Sequence, residues 1–264
     1  MAAEANITTT EDGTRVNWTR TGSGDSVVLV HGITERAASW DPIVAELRGG
    51  FDVLSIDLRG HGASGLADDY GLASMAADVA HVVADAGIAR PHLVGHSLGG
   101  AVVSAAAVSV AATSVVNVDQ SLRFGEFKEL LEAVEAMLRD TEVFPGVMTT
   151  IFKDLMGPRL SESEQGRLTA LRRPVQDVVL GVWADLLTST PEEIDRLVEE
   201  ALAGYREADV PYLSLFGVDP GEEYVDWLQA RIPGARCEVW ADHGHYPHLV
   251  DPDRFVSRLT EFWA

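Results

Sequence analysis

Leu93-Val94-Gly95-His96-Ser97-Leu98-Gly99-Gly100 sets a serine between an apolar, strand-like run from Pro91 to His96 and a small-residue run that reads as a helix from Leu98 to Ala112. A serine on so tight a strand-to-helix turn needs small neighbours, because a side chain at Gly95 or Gly99 would collide with the flanking backbone. Such a turn lifts the Ser97 hydroxyl clear of the sheet. The helix that follows offers unpaired N–H groups and a partial positive charge beside it. The Leu98 N–H is therefore a candidate donor to an oxyanion.

Working outward, Val27 to His31, Asp52 to Asp57, Ser114 to Asp119, Pro211 to Gly217 and Ala235 to Trp240 are further short apolar or β-branched runs, most ending in Gly, Asp or His. Helical patterns separate them at Arg36 to Leu47, Ser74 to Ala86, Glu222 to Arg231 and Pro252 to Trp263. This alternation predicts an α/β fold, a mostly parallel central β-sheet flanked by helices. Arg15 to Thr19 adds an antiparallel edge strand.

The alternation stops between about Leu122 and Glu207, where segments such as FKELLEAVEAMLRD follow one another without a strand-like run. The expected organisation is a core of residues 1–121 and 208–264 carrying a helical cap inserted at 122–207. Phe144, Met148, Phe152, Met156 and Trp183 are apolar residues of this insertion and candidates to line a substrate pocket.

The chain has 264 residues, a hydrophobic fraction of 46% and a formal charge of −21. Its length and composition suit one globular core, and its charge repels phosphate backbones and anionic lipid, so no nucleic-acid or membrane partner is expected. Cys237 is the sole cysteine, which rules out an intrachain disulfide and paired-cysteine metal sites. In its alternating run it reads as a small buried residue. The N-terminal residues lack the basic and apolar regions of a secretory signal, and polar residues interrupt the apolar stretch from Ala101 to Val118. A cytoplasmic location is expected.

A serine nucleophile needs an imidazole to accept its proton. Three of the eight histidines lie in Asp242-His243-Gly244-His245-Tyr246-Pro247-His248, after the last strand-like run. The run Val27-Val28-Leu29-Val30-His31-Gly32-Ile33-Thr34 ends in a turn that makes the Ile33 N–H a second candidate oxyanion donor. His31 reads as a shaper of that loop, and Asp57 as a structural carboxylate of the Asp-x-Arg-Gly-x-Gly turn. The acid that orients the imidazole belongs at a strand end, where Asp219 and Asp119 both qualify.

Together, His31-Gly32, Asp57-Leu58-Arg59-Gly60-His61-Gly62, Gly95-His96-Ser97-Leu98-Gly99 and Gly244-His245-Tyr246-Pro247-His248 resemble, in order and over almost the whole chain, the motifs of the α/β-hydrolase family. The resemblance implies an α/β-hydrolase fold and His245 as the general base. It favours an acid after the strand that follows the cap, hence Asp219, although here the spacing from glycine is one residue short; a minority of the family uses the position of Asp119. Serine at residue 97 disfavours the epoxide hydrolases and haloalkane dehalogenases, whose elbow carries aspartate. What remains is a hydrolase of a small-molecule acyl substrate through an acyl-enzyme, esterase or lactonase before thioesterase or carbon–carbon bond hydrolase, with no cofactor and no metal. Some relatives keep these residues yet act chiefly as ligand receptors, which is the alternative from another class.

Overall fold

The computed structural model describes residues 4–264. Eight strands form one sheet in the order β1-β2-β4-β3-β5-β6-β7-β8. They are β1 (Glu4–Thr9), β2 (Arg15–Gly22), β3 (Asp25–Val30), β4 (Phe51–Ile56), β5 (His92–His96), β6 (Ser114–Val118), β7 (Tyr212–Phe216) and β8 (Arg236–Val239). β2 pairs antiparallel with β1 and β4, and every later pairing is parallel. All six expected strands of the parallel region are present within a residue or two.

The N-terminal edge differs from expectation. β2 continues beyond Thr19 to Gly22 and is flanked by β1, so β1 is the edge strand. β1 reads EANITT, in which Ile7 is the one large apolar residue and is itself exposed, which is why the strand carries no hydrophobic signal of its own.

Side-chain alternation divides the core between the two faces of the sheet. Val28, Val30, Leu54, Ile56, Leu93 and Val115 point to one face, where α2 (Leu72–Asp85), α3 (Leu98–Ala106) and α11 (Glu222–Arg231) cover them. Val27, Leu29, Val53, Val94, Val116 and Leu213 point to the other, against α1 (Asp41–Leu47) and α13 (Pro252–Trp263). Burial on both faces accounts for strands that are apolar at consecutive positions.

Two expected helices are shorter than their patterns. Residues 37–47 split into a single 3-10 turn, Ala37–Trp40, and α1, which starts with Pro42 in its first turn. α3 stops at Ala106, and a turn through Ala111 at φ 50° leads into β6.

Seven helices lie between β6 and β7: α4 (Gly125–Arg139), α5 (Phe144–Leu155), α6 (Glu162–Leu171), α7 (Gln176–Val182), α8 (Ala184–Thr188), α9 (Pro191–Leu202) and α10 (Tyr205–Ala208). Leu131, Leu138, Phe144, Met148, Phe152, Val179 and Trp183 form an apolar cluster of their own there, joined by Ile33 from the core. α12 (Pro247–Val250) completes the set. Among the described residues no helix is long and apolar enough to cross a membrane.

Candidate active site

Ser97 sits between β5 and α3 with φ 52° and ψ −127°, a conformation that β-carbon sterics penalise. Its surroundings hold it there. Its N–H donates to the Val118 carbonyl at 2.9 Å. A Cβ on Gly95 would come within 2.0 Å of the Gly99 carbonyl oxygen, and one on Gly99 within 2.2 Å of the Val30 carbonyl oxygen. Both glycines are thus required by contact rather than by local flexibility.

His245 reaches the same place from the far end of the chain. Its backbone N–H donates to the Leu155 carbonyl at 3.1 Å, and its own carbonyl lies 2.8 Å from His96 Nε2. Its Nδ1 stands 2.6 Å from Asp119 Oδ2. Donation from Nδ1 fixes the neutral ring in the tautomer whose Nε2 carries a free lone pair.

Asp119 ends β6 at φ 54°, and its second oxygen accepts the Gly217 N–H at 2.7 Å. Asp219 is exposed, and its carboxylate accepts the Gly221 N–H at 2.9 Å, as a loop-capping residue does. This corrects the preference for Asp219 as the partner of His245. The physical cause is the approach of Gly217 to Gly244, so close that a Cβ on Gly217 would meet the Gly244 carbonyl oxygen at 1.7 Å. The histidine loop seats against the start of the turn after β7, and the residues beyond Gly217 face solvent.

Ser97, His245 and Asp119 all line one cavity of about 1620 Å³, together with Gly32, Ile33 and Leu98. Among the described residues, neither the Ile33 nor the Leu98 backbone N–H has a hydrogen-bond partner. His31 accepts the Leu58 N–H at Nε2 (3.0 Å) and contacts the Gly32 carbonyl at Nδ1 (2.7 Å), so both its nitrogens shape the loop. Burial holds its pKa down. Asp57 accepts from the Ala37 and Ala63 N–H groups and from Asn17, as a turn carboxylate.

The pocket candidates divide. Phe152 and Trp183 line the cavity. Phe144 and Met148 do not: at 4% and 1% exposure they pack inside the insertion against Leu131, Leu138 and Val179. On α5, residues 144, 148 and 152 share an inward face, while Val147, Ile151 and Leu155 on the neighbouring face meet the cavity. Met156 joins the core on the α1–α13 side. Phe127, Leu131 and Val134 of α4, which were not singled out in the sequence, complete this wall.

A buried polar cluster beside the cavity also escaped the sequence reading. Glu35, 3% exposed, accepts the Tyr246 hydroxyl at 2.7 Å and lies 3.6 Å from Arg172, which comes from the insertion and also contacts the Tyr246 hydroxyl. Burial alone would raise the Glu35 carboxyl; His96 and Arg172 reverse this and hold it below the usual carboxylate range. Arg172 stacks over the Phe152 ring at 4.2 Å, and the Arg173 N–H donates to the Thr34 carbonyl at 2.9 Å. The insertion is thereby fastened to the loop that carries Ile33. No local sequence signal marks Glu35 or Arg172, because Glu35, Arg172 and Tyr246 lie at least 74 positions apart in the chain.

Cys237 is half-buried on β8, where burial pushes its thiol up to about 11 and leaves it a poor nucleophile at neutral pH. Among the described residues no group of three or more His, Cys, Asp or Glu side chains is arranged to hold a metal ion.

A model of the alpha/beta hydrolase family matches residues 27–258. The chain is 28% identical to a pimeloyl-acyl-carrier protein methyl ester esterase of Nitrosomonas europaea, over 90% of this chain and 95% of the relative. An esterase from Rhodococcus sp. ECU1013 superposes with a TM-score of 0.74 at 25% identity, covering 100% of this chain and 98% of that one. A hydrolase from Pseudomonas aeruginosa PA01 superposes with a TM-score of 0.79 at 21% identity over 99% of each chain and shares the fold.

Proposed function

This chain belongs to the alpha/beta hydrolase family, and from that premise we propose that it is a serine hydrolase cleaving an ester, lactone or related acyl bond. Ser97 is the nucleophile, His245 the general base and Asp119 its acid partner. The observation that carries the reading is the 2.6 Å contact between His245 Nδ1 and Asp119, made at the wall of the cavity into which Ser97 is held by a strained turn.

In the first step the Ser97 hydroxyl attacks the substrate carbonyl carbon while His245 Nε2 takes its proton. Asp119 keeps the ring oriented and stabilises the imidazolium that forms. The negative charge on the carbonyl oxygen is met by the Leu98 and Ile33 N–H groups, which lose no other partner when they bind it. The imidazolium then returns the proton to the departing alcohol. Water, deprotonated by the same nitrogen, attacks the acyl-enzyme and restores the serine. Helices α4 to α9 act as a cap over the site, and the esterases among the relatives support an ester as substrate.

Turnover of p-nitrophenyl acetate, p-nitrophenyl butyrate and a set of lactones tests this. Ser97→Ala should lower kcat by about 10⁴-fold with an unchanged thermal midpoint. Turnover at the wild-type rate by that variant would overturn the proposal.

A further inference from the structure

Resting on the reading of Ser97 as nucleophile, we infer that the substrate is an ester bearing a long, neutral hydrocarbon chain, and that the chain lies in a trough running from Ser97 between α2, α3 and α9. The cavity does not end at the reacting centre. At about 1620 Å³ it exceeds the roughly 300 to 1,000 Å³ that serve ordinary small ligands. α3 begins immediately after Ser97, and Ala101 and Ala105 follow on one face at successive turns, both on the cavity wall. At a rise of about 1.5 Å per residue this wall extends about 12 Å from the nucleophile. An acetyl or butyryl group would fill only its first part.

The opposing sides are apolar as well. Ala76 and Ala80 of α2, one turn apart, form one side, and Ile194 and Leu197 of α9 the other. Leu197 is 42% exposed and faces the cavity, an apolar side chain that a hydrocarbon would cover. The rim on the α4–α5 side repeats the feature: Leu130, Met137 and Val143 are exposed and line the same cavity.

Charge decides against an anionic tail. Asp69, Asp185 and Glu200 stand on the wall, whereas among the described residues Arg123 is the one lysine or arginine there, 54% exposed and already 3.7 Å from Glu223. With a net charge of −21 over the whole chain, a carboxylate or phosphate at the far end of the chain would be repelled.

The experiment is a chain-length series, run below the micellar concentration of each ester. p-Nitrophenyl acetate, octanoate and dodecanoate extend the acyl side, and dodecyl acetate extends the alcohol side. kcat/KM should rise by about 30-fold or more from acetate to dodecanoate, or for dodecyl acetate over ethyl acetate, and the series that rises identifies the side that enters the trough. Ala105→Phe should cut the long-to-short ratio by about 10-fold or more. Leu197→Asp, on an exposed position that tolerates charge, should do the same should Ala105→Phe misfold. Rates that are flat or falling beyond butyrate on both sides overturn the inference and leave the proposed hydrolase standing. If no ester turns over but Ser97→Ala binds 1-dodecanol and Leu197→Asp abolishes that binding, the trough stands and the hydrolase reading falls.

Discussion

The carboxyl ends of the central strands and the helical insertion line one cavity by different means. At the strand ends the backbone sets most of the geometry: Ser97 is strained, Gly95 and Gly99 admit no side chain, and His245 is held by both of its backbone groups as well as by its ring. Across the cavity, α4 and α5 present apolar side chains that pack in one cluster, α9 adds Ile194 and Leu197 to the wall, and several of these side chains remain exposed. On the proposed chemistry the first arrangement should tolerate almost no change, and the second should tolerate exchange of one apolar residue for another, with an effect on what fits.

The largest contrast is expected between two aspartates. Asp119→Asn should reduce kcat by about 10³-fold or more, because an amide cannot hold His245 in the required tautomer or balance its charge. Asp219→Asn should change kcat by less than about 3-fold. Steady-state kinetics on one ester decides it, and the reverse order of effects would break the distinction between the buried strand end and the exposed loop.

Next in size is the fastening between the two regions. Arg172→Met leaves Glu35 buried without its cation and should cost about 3 to 5 kcal/mol in urea unfolding. Adding Glu35→Gln should recover most of that loss. A single variant as stable as wild type would mean that Arg172 does not fasten the insertion to the Ile33 loop.

The smaller effects lie within α5. Phe144→Ala should destabilise by about 3 to 4 kcal/mol through the void it leaves, with little change in KM for protein that remains folded. Phe152→Ala should raise KM several-fold, since that ring faces both the packed cluster and the cavity. Unfolding and kinetics on the pair sharpen the division between the packed start of the inward face of α5, at Phe144, and its end at Phe152, which also meets the cavity; equal KM shifts would erase it.

The same contrast explains what could be read from the sequence. The elbow at Ser97 was legible because its constraint lies within consecutive residues, and the parallel strands because burial on both faces leaves them apolar throughout. β1 was not, since a pair of edge strands half in water needs little apolar character. The choice between Asp119 and Asp219 depends on how the turn after β7 meets the Gly244 loop, a contact of backbones that no side-chain pattern encodes. Phe144, Met148 and Phe152 repeat every four residues and announce a common face, but the repeat does not say whether that face meets a neighbouring helix or a cavity. Glu35 and Arg172 pair across the boundary between core and insertion and so left no local trace.

The central claim is that Ser97 becomes acylated with help from His245 and Asp119. Its most direct test is mass spectrometry of the protein after reaction with a fluorophosphonate. One adduct is expected, on the peptide carrying Ser97, absent in Ser97→Ala and formed far more slowly in Asp119→Asn. An adduct elsewhere, or labelling at the wild-type rate without Asp119, would contradict it.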